Sequence, residues 1–97
     1  MELDALLSGL GHDAATLVRS VRARARLGER YDEKRGELIF LAGGVELGRL
    51  LLRAGPLPKL LIGDSLDEIT GLAAAQAAAE KLRALANRVP QLDLFGK

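Results

Sequence analysis

Side chains able to carry chemistry are few and scattered in this chain. His12 is the single histidine and there is no cysteine. Thiolate catalysis, disulfides, sulfur-ligated metals and multi-histidine metal sites are therefore excluded together. A His12–Asp13 dyad is the one acid–base pair on offer, but neighbours in sequence seldom point into one pocket, and capping or solvent roles account for both. Asp64, Asp67 and Glu68 crowd together; as carboxylates at the start of an expected helix they complement its dipole and cap without calling for a divalent metal. Gly43-Gly44, with Gly48 beyond, lacks the Lys-Ser/Thr of a phosphate loop and the flanks of a dinucleotide-binding turn. Those glycines read as turn or close-packing positions. No catalytic site, metal or cofactor is expected.

The arginines offer binding rather than catalysis. Arg19, Arg22, Arg24, Arg26 and Arg30 follow one another closely, and Arg19, Arg22 and Arg26 share one face of an expected helix. Guanidinium groups make bidentate contacts to phosphate, so such a stripe suits DNA backbone without reading bases. The competing reading is a solvated face balanced by Glu29, Asp32 and Glu33. The net charge is only +1, so no global field steers the chain to nucleic acid or anionic membrane. Tyr31, Phe40 and Phe95 are too few and too scattered to stack a single strand.

The elements that must position these residues belong to one domain of 97 residues, 48% hydrophobic and only 3% aromatic. Its core must come from Leu, Ala, Val and Ile. The expected fold is mainly α: a small helical domain over residues 1–89 with a long C-terminal helix, one short β-hairpin around 37–52 as an option, and a flexible peptide at 90–97. Leu3, Leu6, Leu7 and Leu10 have the spacing of a short amphipathic helix. A second helix runs from Ala14 to Leu27 on Leu17, Val18, Val21 and Ala25, ended by Gly28. Residues 29–35 read as a charged connection or an exposed helix start. Segment 37–42 is open between strand and helix, and 45–54 favours helix by spacing and propensity, although Gly43-Gly44 is also a hairpin signal. Gly55-Pro56-Leu57-Pro58 is a stop, and 59–63 a brief apolar connection. Ser65 with Glu68 forms a capping box for a helix over 66–88. On it Leu72, Ala75, Ala79, Leu82, Ala86 and Val89 make a heptad seam that packs on the chain's own helices or supports a homodimer. No stretch is apolar enough to span a membrane, Met1-Glu2-Leu3-Asp4 is not a secretory signal, and the expected location is cytoplasmic.

Pro90 stops that helical pattern, and Gln91-Leu92-Asp93-Leu94-Phe95 follows. Adjacent large apolar side chains in a terminal peptide must be covered by the domain or by a partner. The pentapeptide resembles the motif with which many bacterial polymerases and repair proteins dock on the β sliding clamp: Gln-Leu, then Ser or Asp, then Leu-Phe. All five positions match. The resemblance implies a non-enzymatic replication or repair accessory protein with the β sliding clamp as partner. Leu94 and Phe95 would be anchors in a hydrophobic pocket, Gln91 would sit in a polar subsite, and Leu92 and Asp93 would lie between. It covers five of 97 residues. Two alternatives remain beside it: a dimeric DNA-binding accessory protein using Arg19, Arg22 and Arg26, and a plain helical interaction domain whose tail closes its own core.

Overall fold

The computed structural model describes residues 12–89. Helix α1 (His12–Ala25) leads into strands β1 (Gly28–Asp32), β2 (Glu37–Ala42), β3 (Val45–Leu51), β4 (Lys59–Ile62) and β5 (Ser65–Glu68), and helix α2 (Leu72–Arg88) follows. The strands form one antiparallel sheet in the order β1-β2-β3-β4-β5, each joined to its sequence neighbour. The expectation of a mainly helical domain is overturned: the fold is α+β, with two helices packed on a five-stranded meander.

Residues 45–51, expected as helix, form β3, the central strand. Residues 59–62 are a strand rather than a connection, and 28–32 are the β1 edge strand rather than a charged loop. The long helix over 66–88 is shorter than expected. Residues 65–68 belong to β5, so Ser65 and Glu68 form no capping box, and Gly71 caps α2 without a side-chain hydrogen bond. The optional hairpin around 37–52 does exist as β2–β3. Gly43 and Gly44 both take positive φ (58° and 79°) between the paired residues Ala42 and Val45. Two consecutive left-handed residues suit the right-handed twist of a two-residue hairpin, and glycine adopts them without a Cβ penalty.

Cross-strand partners share a face of the sheet. Leu38 pairs with Tyr31 and Leu50, and Leu50 with Leu60. These residues, with Phe40, meet Leu17, Val18, Val21 and Ala25 of α1 and Ala75, Ala78, Ala79 and Leu82 of α2 in one core. The inner residues of the expected heptad seam, Ala75, Ala79, Leu82 and Ala86, are thus buried within the chain, whereas Leu72 is 61% exposed. Small Ala side chains let α1 and α2 approach closely. Arg83 Nη1 donates to Ala25 O at 3.4 Å, bringing a cation to the negative C-terminal end of α1. No helix among the described residues is long and apolar enough to cross a membrane.

Candidate functional site

The helix that leads to the pentapeptide Gln91–Phe95 ends in a defined way. Val89 leaves α2 in an extended conformation (φ −75°, ψ 125°), the geometry that a following proline imposes on its predecessor. Its N–H still donates to Ala86 O at 3.2 Å. The polypeptide therefore departs from the helix axis at Val89. Gln91, Leu92, Asp93, Leu94 and Phe95 lie outside the described residues, as does the amphipathic helix expected from Leu3, Leu6, Leu7 and Leu10.

Beside that exit runs a half-open groove between α2 and the β4–β5 hairpin. Helix α2 packs chiefly on α1 and, over the sheet, on β2 and β3. The lower part of the groove, about 310 Å³, is lined by Ile62, Ser65, Lys81, Ala84, Leu85 and Arg88. The upper part, about 290 Å³, lies over Leu60, Ile69, Ala74, Ala77 and Ala78. Lys81 lines both, and its Nζ is 2.7 Å from Asp67 Oδ2, an ion pair that bridges the groove midway. Asp67 and Glu68 are thus β5 residues and Asp64 a turn residue, not carboxylates dressing a helix start. Among the described residues no group of three His, Cys, Asp or Glu is placed to hold a metal ion.

The arginines do not act as one set. Arg22 grips Glu29 of β1 with both ends of its fork, Nε at 3.1 Å and Nη2 at 2.9 Å, and so ties α1 to the sheet edge. Arg19 and Arg24 point to solvent from α1. Arg26, one residue past the helix, is also exposed and takes a left-handed φ of 52°. Of the three expected phosphate contacts, Arg19 and Arg26 remain outward, and Arg22 brings a carboxylate with it.

A second charged cluster had no distinct sequence signal. Arg49 binds Glu46 through Nε at 2.6 Å and Nη2 at 3.0 Å, and Glu37 through Nη1 at 2.8 Å. In a regular strand Glu46 and Arg49 would face opposite sides, because side chains alternate. A register shift corrects this. Leu41 pairs with Glu46 but Phe40 with Gly48, so Leu47 is an extra residue that returns Glu46 to the face of Arg49. The hydrogen bond from Arg49 holds the Glu46 carboxyl below the ordinary glutamate range, against the opposing effect of desolvation. The same bonds to Glu46 and Glu37 raise the Arg49 guanidinium above its usual value. Beneath the cluster, Ile39 lies between its partners Arg30 and Arg49 and is only 2% exposed. Aliphatic arginine stems cover it, so the outer face of the sheet seals its own apolar centre.

No protein-family model matches the chain, and no curated protein or solved structure is significantly similar to it.

Proposed function

We propose that this chain is a non-enzymatic accessory protein of bacterial DNA replication or repair that docks on the β sliding clamp through Gln91–Phe95. The observation that carries the reading is the complete five-residue motif immediately after a helix stop. The extended exit at Val89 supports it, because a peptide leaving along that direction does not continue the helix. The mechanism is capture of an extended peptide by a preformed apolar groove on the partner. Leu94 and Phe95 supply the apolar area, about 3–6 kcal/mol gross. Ordering the peptide takes back much of this, which leaves a Kd on the order of micromolar for one tail on one groove. A cytoplasmic setting fits a chain without cysteine.

The test uses purified clamp and the full chain, wild type against Leu94→Ala/Phe95→Ala, by calorimetry with circular dichroism as the folding control. Loss of binding with an unchanged spectrum supports the reading. Retained binding sinks it.

A second reading is favoured by the exposure of Arg19, Arg24 and Arg26: contact with DNA phosphates along α1. Its signature is affinity that falls steeply with salt and weakens on Arg19→Ala/Arg26→Ala. A homodimer through 66–88 would have to use residues that the core leaves outward, such as Ala73, Ala77 and Ala84.

A further inference from the structure

We propose that the lower α2–β4–β5 groove is an intramolecular seat for Leu94 and Phe95, and that seating there competes with the clamp. For its consequence the inference rests on the clamp-docking reading; for its geometry it rests on the groove alone. The groove is apolar along Ile62, Ala84 and Leu85, and it is basic at both ends, where Lys81 and Arg88 stand. Lys81 is occupied by Asp67, while Arg88 makes no ion pair among the described residues. The peptide has the complementary composition: an aliphatic–aromatic pair preceded by Asp93, a carboxylate opposite in charge to Arg88.

Position makes this segment the natural occupant. Arg88 both lines the groove and ends α2, so the peptide starts at the groove's mouth. Leu94 and Phe95 follow Arg88 by six and seven residues, a reach of about 20 Å in extended chain. The path back along α2 from Arg88 to Lys81 is about 10 Å at the helical rise. The excess allows the chain to reverse at Val89–Pro90 and run back beside the helix. An apolar pair exposed in a terminal peptide is a liability while no partner is bound, and this seat covers it without burying the upper half of the groove.

The consequence follows from competition within one molecule. A short tether holds the peptide at an effective concentration on the order of millimolar. A seat with an intrinsic Kd of about 0.1 mM is then about nine-tenths filled, and the apparent clamp affinity falls about tenfold.

Two measurements on the full chain test this. In the first, amide NMR spectra of wild type and Leu94→Ala/Phe95→Ala are compared without clamp. Shifts at Ile62, Ser65, Lys81, Ala84 and Leu85 are expected, and changes confined to residues beyond Arg88 overturn the seat. In the second, Ala84→Arg fills the groove from an exposed helix position. Its clamp affinity should rise about tenfold, to that of a free peptide spanning 88–97. Equal affinity of wild type, Ala84→Arg and peptide overturns the competition while leaving clamp docking intact. Groove shifts without clamp binding by any of the three retain the seat and remove the clamp as partner.

Discussion

Gly48 faces Phe40 across the β2–β3 ladder, and its missing side chain is what lets α2 close over the sheet. A Cβ there would lie 2.9 Å from Ile62 Cγ1, 3.0 Å from Leu61 O and 3.3 Å from Leu82 Cδ2. The glycine in the middle of the central strand is therefore a packing position where sheet and helix meet. It also places the largest core side chain, Phe40, beside the smallest residue, an alternation that fills space between layers without strain.

Gly48→Ala should therefore destabilise the fold. Replacing glycine usually stabilises by about 0.4–1 kcal/mol through the unfolded chain. Here a backbone oxygen, the Ile62 methylene and a Leu82 methyl must give way, and overpacking costs about 1–3 kcal/mol. Overpacking wins. Urea denaturation should show a lower midpoint with an unchanged m-value, and a midpoint equal to wild type would refute the packing role.

Phe40 is fully buried, and it is the only phenylalanine among the described residues. Phe40→Ala removes its area and leaves a cavity, at a cost of about 3–5 kcal/mol. A domain of this size holds about 5–15 kcal/mol in total. The variant should melt well over about 10 °C lower, or be partly unfolded at room temperature. Thermal unfolding followed at the α-helical signal measures this.

The β2–β3 turn separates backbone strain from crowding. A Cβ on Gly44 would meet nothing within 4 Å, yet its φ is 79°. Gly44→Ala should thus cost about 1–2 kcal/mol through conformation alone. Gly44→Asn should cost less, because asparagine tolerates left-handed turns. Equal losses for the two variants would show that the turn relaxes to another type.

The same turn explains what the sequence made legible. Gly43-Gly44 marks a hairpin by itself, because consecutive left-handed residues have few other uses. The helix over Leu17, Val18, Val21 and Ala25 was readable because its outer face is plainly charged. The remaining strands were not, because both faces of the sheet are apolar near its middle. Leu50 and Leu60 point to the helices while Leu51, opposite Lys59, and Leu61, opposite Arg49, lie on the other side, so apolar residues run consecutively and the two-residue alternation disappears. Leucine and alanine also favour helix by propensity, and here cross-strand packing overrides them. Ser65 and Glu68 copied a capping box by spacing alone; β5 uses those residues to extend the sheet. Among binding candidates, the arginine stripe was visible as a pattern, but the capture of Arg22 by Glu29 joins residues seven apart across a helix–strand junction that the sequence did not reveal. The Glu46–Arg49 contact depends on the bulge at Leu47, which no residue type announces.

That contact gives a pH prediction with a fixed sign. Glu46 in the folded chain holds its proton less tightly than its ordinary value near 4.5, so the folded state favours the carboxylate. The stabilisation is complete above the unfolded value and is lost as pH falls through the lowered folded value. Solvent screens much of it, because both side chains are partly exposed. Arg49→Met keeps a stem over Ile39 but removes the charge, and its deficit relative to wild type should be constant from about pH 6 to 8. Below about pH 4 the deficit should shrink as Glu46 protonates in the wild type. Glu46→Gln should flatten that dependence without exposing Ile39. Denaturation midpoints for the three proteins across this range read the effect, and a deficit that stays unchanged toward acid would assign the role of Arg49 to packing rather than to charge.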